Sequence, residues 1–206
     1  MRLAYHSQVK GRKQWLPRKD RYIRRAHVRA CRICPSFRRY GASCNEACLV
    51  SSHFDGGCAC GSVRYKNAAR PVFSWNCHCR HCQRASGSGY CPVSYVPKTS
   101  LEWSGPITFY EVQADSKNSV RRGFCSSCGS PVLILAELVP ELVGVWAATR
   151  DNPSTFAATA NVWTASSHTW SGIDTKLLSF PRAPSTVELQ EIIKRSSFSG
   201  DDKTVE

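Results

Sequence analysis

Acidic residues are almost absent from the first fifty positions, where only Asp20 and Glu46 stand against 13 Lys and Arg, a net of +11. The whole chain carries +13, so residues 51–206, with 15 basic and 13 acidic side chains, come to +2. That split excludes a uniformly basic nucleic-acid-binding domain, because any field a polyanion would feel is confined to one end. No segment approaches the roughly 20 uninterrupted apolar residues that a membrane span needs. The N-terminus also has no apolar stretch of the kind found in a secretory signal. It is Arg-rich and acid-poor like a mitochondrial presequence, yet it has few serines and no clean amphipathic repeat. No internal repeat occurs at a solenoid or propeller period. The expectation is an intracellular protein, cytoplasmic first, with mitochondrion or nucleus as alternatives.

Cysteine, by contrast, is plentiful: 12 in 206 residues. Without secretion a disulfide framework is not expected, and cysteines clustered at short spacings point instead to metal. The chain reads in parts. Residues 1–50 are dense in like charge, which favours a disordered arm. Residues 53–183 read as a β-rich domain, because runs such as "SVRYK", "GYCPVSYVP", "ITFYEV", "SPVLILAEL" and "LVGVWAAT" alternate with Gly, Pro, Asn and Ser. Residues 184–197 read as the one clear helix, with Ser185 and Glu188 as a capping box and an apolar stripe of Leu189, Ile192 and Ile193. Residues 198–206 form a polar tail.

Two cysteine pairs far apart have ligand spacing. Cys58 and Cys60 lie among Gly56, Gly57 and Gly61, which let the chain curl and bring N–H groups to sulfur. Cys125 and Cys128, followed by Gly129, form a knuckle. Together they would supply a closed tetrahedral Cys₄ zinc site, which is structural. Cys77, Cys79 and Cys82 in "NCHCRHCQRASGSG" then form a set of three. Three thiolates leave one coordination position for a substrate thiol, which the cation would hold as thiolate. Alternatively His78 or His81 completes a closed Cys₃His site; spacing leaves both readings open.

Other residues carry paired readings. Arg80 and Arg84 either attract an anionic substrate or are solvated surface arginines. Ser86, Gly87 and Gly89 form either a loop over the open position or a turn into the next strand. Cys91 reads as a small core residue. Trp75, Trp103, Trp146, Trp163 and Trp170 read as filling between sheets. Cys31, Cys34, Cys44 and Cys48, with His27 nearby, have spacing for a third zinc but little apolar material to pack around it.

The blocks "GGCACGSVRY", "NCHCRHCQRASGSG" and "RRGFCSSCGSPV", in this order and at these separations, resemble the glutathione-dependent formaldehyde-activating enzyme and centromere protein V family. The resemblance covers about residues 53–181. It implies a mainly β, Mss4-like fold of coiled antiparallel sheets with one C-terminal helix. It also implies two Zn²⁺ per chain: a structural zinc on Cys58, Cys60, Cys125 and Cys128, and a catalytic zinc on Cys77, Cys79 and Cys82 with its fourth position open. The implied activity is that of a carbon–sulfur lyase acting on glutathione or another small thiol and an aldehyde-derived adduct. The C-terminal third departs from the family pattern. Asp151 and Pro153 are present without the usual Leu-Asp pair, and Asn161 stands where the family has a histidine, while Trp170 and "GIDTKLLSF" fit. The competing expectation is a non-catalytic zinc-stapled module whose basic arm contacts nucleic acid or microtubules.

Overall fold

The computed structural model describes residues 53–114 and 117–198. The basic arm, its four cysteines and the polar tail from residue 199 lie outside the described residues.

Eleven strands and two helices make up the described chain: β1 (Phe54–Gly57), β2 (Arg64–Asn67), β3 (Phe73–Cys77), α1 (Arg80–Ser86), β4 (Cys91–Pro97), β5 (Leu101–Ser104), β6 (Ile107–Gln113), β7 (Ser119–Cys125), β8 (Pro131–Ala136), β9 (Leu142–Trp146), β10 (Ala160–Val162), β11 (Leu178–Phe180) and α2 (Thr186–Phe198). The fold is mainly β. Strands β1, β2 and β5 form a small antiparallel sheet, and the other eight form a sheet of order β11-β10-β3-β4-β9-β8-β7-β6. That larger sheet is antiparallel except at β10, which runs parallel to both β3 and β11.

The five quoted runs, rich in β-branched and aromatic residues, correspond to β2, β4, β6, β8 and β9. Strands β4 and β9 are buried over most of their length, as expected where both faces of a sheet are covered. Alternate residues of β4 enter different cores. Val93 and Tyr95 join Phe73, Trp146 and Ile192 of α2, whereas Val96 joins Tyr65, Leu133, Val143 and Val145. Each cysteine group belongs to one core: Cys77, Cys79 and Cys82 to the first, Cys58 and Cys125 to the second.

The expected C-terminal helix is present as α2, and one further helix, α1, forms inside the three-cysteine segment. It lacks an apolar stripe to announce it, and is defined by its ends: the Cys79 sulfur caps the Cys82 N–H at 3.4 Å, and Gly87 closes it in the left-handed region at φ 67°. One expectation needs correction: the tryptophans do not all fill the core. Trp146 is buried, but Trp103 is 42% and Trp170 71% exposed, Trp103 because it lies in β5 at the edge of the small sheet and Trp170 because it lies in a surface turn.

Candidate metal centres

The four-cysteine group joins two turns. Cys58 and Cys60 sit in the turn from β1 to β2, closed by the Gly61 N–H donating to the Cys58 carbonyl at 3.1 Å, with Gly61 at φ 78°. The Val63 N–H donates to the Cys58 sulfur at 3.2 Å. Cys125 ends β7, and the Gly129 N–H donates back to its carbonyl at 2.8 Å, which makes the knuckle that carries Cys128. All four sulfurs lie within 4.8 Å of one another, with Cys58–Cys60 at 3.4 Å and Cys60–Cys125 at 3.8 Å. Metal–sulfur bonds of about 2.3 Å in a tetrahedron place sulfurs about 3.8 Å apart, so the donor set fits a soft divalent ion. The Ser130 hydroxyl and N–H pull the Cys128 thiol down to about 6. None of these cysteines is in a disulfide.

The three-cysteine group is more enclosed. Cys77 is the last residue of β3, Cys79 caps α1, and Cys82 lies in the first turn of α1, all three buried and with sulfurs within 4.8 Å. The His78 N–H donates to the Val162 carbonyl of β10 at 2.9 Å. From below, the buried Gln83 amide donates to the His78 and Ser166 carbonyls at 2.7 and 2.9 Å. This backbone cannot shift without breaking those bonds.

The three thiols behave as a unit. Hydrogen bonds to Cys79 and Cys82, then burial, push Cys77 well up. At Cys79 the Cys77 hydrogen bond pulls down, but Cys82 and burial win and raise it to about 11. Cys82 is held well down by hydrogen bonds from Cys77, Cys79 and Cys91. Three thiolates packed this closely repel one another unless a cation lies among them. Three free sulfurs within 4.8 Å of one another form a donor set that suits a soft metal ion, whose charge would hold them as thiolates. One protein cation contributes: an Arg122 guanidinium N–H donates to the Cys82 sulfur at 3.8 Å. The guanidinium's buried Nε has no partner among the described residues.

Among the described residues, no histidine joins either sulfur group. His78 is buried away from the three sulfurs, its ring against Tyr90 at 5.2 Å. His81 lines a cavity of about 110 Å³, onto which Cys77, Cys79 and Cys82 all open. The remaining walls are chiefly apolar, from Trp75, Val93, Val120, Ile134, Val162 and Trp163 among others, and Arg122 is the one Lys or Arg that lines it among the described residues.

The glutathione-dependent formaldehyde-activating enzyme family model matches residues 53–166, more than half of the chain. The chain belongs to this family. A Halomonas elongata protein named "Putative glutathione-dependent formaldehyde-activating enzyme" is 26% identical over 103 residues, which is 48% of this chain. The aligned segment spans 66% of that relative's length. A crystal structure of a Rhodobacter sphaeroides protein is 17% identical, covering 61% of this chain and 98% of its own, with a TM-score of 0.40.

The other singled-out residues of this family member find definite places. Asn161 is buried on β10 and absent from the cavity wall; its amide donates to the Asp174 carbonyl at 2.9 Å and its oxygen accepts from Asn76 at 3.3 Å. Arg80 and Arg84 are exposed and also absent from that wall; Arg80 bonds Gln83 and His168. The Ser86 hydroxyl donates to the Cys82 carbonyl at 2.8 Å, and Gly87 ends the helix, so this stretch is a turn. Gly89 is needed for close approach, since a Cβ there would lie 2.4 Å from Ser171. Cys91 is fully buried and pairs in register with Cys77. Arg122 is the site residue that sequence reasoning missed. Its signal was the period of two in β7, which places Val120 and Arg122 on the cavity side and turns Arg121 onto Phe109 at 4.9 Å. Among the described residues no helix is long and apolar enough to cross a membrane.

Proposed function

We propose that the chain is a zinc-dependent carbon–sulfur lyase-type enzyme that makes and breaks the S–C bond between a small thiol, glutathione among them, and an aldehyde. The observation that carries this reading is three buried thiols gathered on a cavity, with no fourth cysteine or histidine in their group among the described residues. Cys77, Cys79 and Cys82 hold the ion, which supplies a Lewis-acid position that favours the thiolate form of a bound thiol. Cys58, Cys60, Cys125 and Cys128 hold a second, structural zinc.

The chain's own contribution is to position and to neutralise. Arg122 offsets the excess negative charge of the thiolate set in a poorly solvated place, where such a contact is worth more than in water. His81 lines the cavity, where a ring N–H would donate to the carbonyl oxygen. In the forward direction sulfur attacks the carbonyl carbon, the C=O π pair moves to oxygen, and the proton lost by the thiol ends on that oxygen. The apolar walls exclude bulk water, which would otherwise compete as nucleophile.

The test is turnover of glutathione plus formaldehyde by the zinc-loaded protein, followed by NMR of the S–CH₂OH group against an uncatalysed control. Acceleration that disappears in Cys79→Ser, with the fold intact, supports the reading. A wild-type protein that accelerates no thiol–aldehyde reaction overturns it.

A further inference from the structure

The cavity beside the three-cysteine centre has more apolar wall than a one-carbon aldehyde can use. Val93, Ile134 and Val162 are 1–3% exposed overall yet contribute surface to it, and Trp75, Val120 and Trp163 complete the lining. For scale, an apolar cavity of about 150 Å³ takes a benzene ring. By that comparison about 110 Å³ holds a chain of roughly two to four carbons. A glutathione-sized carrier does not fit. Among the described residues its charged peptide would find Arg122 as the one cationic partner on these walls, with His81, Asn118 and Tyr95 as the other polar side chains, too few to replace the water it gives up.

We infer, building on the function proposed above, that this cavity holds a short apolar substituent on the carbonyl-derived carbon. The preferred substrates are then adducts of small aliphatic aldehydes, with the thiol carrier outside. Sulfur at the centre, carbon beside it and alkyl chain against Val93 and Ile134 form one line from polar to apolar. Formaldehyde leaves those walls facing a void, and each added methylene fills part of it. Burying a methylene raises binding about fourfold.

Two measurements on the zinc-loaded full chain test this. The first compares kcat/KM for formaldehyde, acetaldehyde, propanal and butanal at fixed glutathione, with glyoxylate as a charged control. The value should climb about fourfold per methylene to propanal or butanal and stay low for glyoxylate. The second is calorimetric titration with ethanethiol, propanethiol and butanethiol, without aldehyde, where Kd should fall in similar steps. Val120→Phe, which fills the cavity from its partly buried wall, should flatten both series. Val139→Ala, which enlarges it, should move the optimum to a longer chain. Near-UV circular dichroism checks that both variants keep native packing.

Flat alkanethiol affinities, or a preference for formaldehyde or glyoxylate in both wild type and Val120→Phe, overturn the inference and leave the proposed function standing. Absence of turnover with every aldehyde overturns the proposed function instead, and the alkanethiol series then decides the cavity's preference alone.

Discussion

Cys79 and Cys128 have the same side chain, yet their loss should have different consequences. Cys128→Ser removes a donor from a group tying the β1–β2 turn to the end of β7, two places 65 to 70 residues apart in sequence (Cys125 to Cys60, Cys128 to Cys58). Structural zinc supplies folding free energy on the order of 10 kcal/mol in small zinc peptides, so this variant should unfold or aggregate. Cys79→Ser alters a group held within six residues, whose backbone is pinned independently through Gln83 and Val162. It should stay folded, keep one zinc per chain and lose thiol–aldehyde turnover; metal analysis, circular dichroism and the activity assay read all three. Arg122→Ala should lower turnover roughly 10- to 100-fold, since hydrogen bonds to charged groups contribute about 1.5–3 kcal/mol. Arg122→Lys should recover part of the loss in the same steady-state assay, because the charge returns without the planar fork. Asn161→Ala removes a buried amide that ties β10 to the Asp174 turn. It should cost about 1–3 kcal/mol in denaturant unfolding and leave turnover in place, because Asn161 does not border the cavity.

At the scale of one element, α2 illustrates how a local signal and a tertiary contact share the stabilisation. Ser185 and Glu188 form the expected capping box: the Glu188 carboxylate accepts from the Ser185 N–H and hydroxyl, each at 2.7 Å, and the Glu188 N–H donates back to Ser185 Oγ at 3.4 Å. Ser185→Ala should cost about 1 kcal/mol. Ile192, fully buried against the core of β3 and β4, should cost about 2–5 kcal/mol as Ile192→Ala. The Ser185 hydrogen bonds hold the Glu188 carboxyl below its ordinary value of 4.5. A depressed acid stabilises the fold above its unfolded pKa, and that contribution is lost as pH falls through the depressed value. The difference in unfolding midpoint between wild type and Glu188→Gln should therefore be full near neutrality and shrink below pH 4.5. Strand β7 has the same double character. Its period of two is local, but it matters only because the sheet order places Arg122 against Cys82, 40 residues back.

For the molecule as a whole, the two cores and all seven gathered cysteines lie within the described residues. A chain starting at residue 53 should accordingly keep the metal content and melting temperature of the full protein, both measurable side by side. Metal should also set the acid limit of stability. Thiolates bind the ion and thiols do not, so lowering pH protonates the ligands, releases metal and removes its contribution to folding. Two zinc ions per chain are expected at neutral pH. Chelation that strips the four-cysteine group should unfold the protein, while loss from the three-cysteine group alone should abolish turnover first.

What was legible from residue order alone was local. The Cys58–Cys60 turn, the Cys125–Cys128 knuckle, the C-x-C-x-x-C set, the Ser185–Glu188 cap and five β-rich runs all encode geometry within a few residues. The family followed from those blocks because ligand spacing and turn glycines are short-range constraints. The tertiary structure decided everything that depends on strands meeting across the sheet. It separated the two cysteine groups into different cores, left His78 and His81 out of the sulfur group, and opened the three thiols onto an apolar cavity. It also brought Arg122 to Cys82, turned Asn161 away from the cavity and put Trp103 and Trp170 on the surface. Period-two alternation states which residues of a strand share a face, but not which element that face meets; only the sheet order supplies the partner, and the partner determines whether a side chain is ligand, wall or surface.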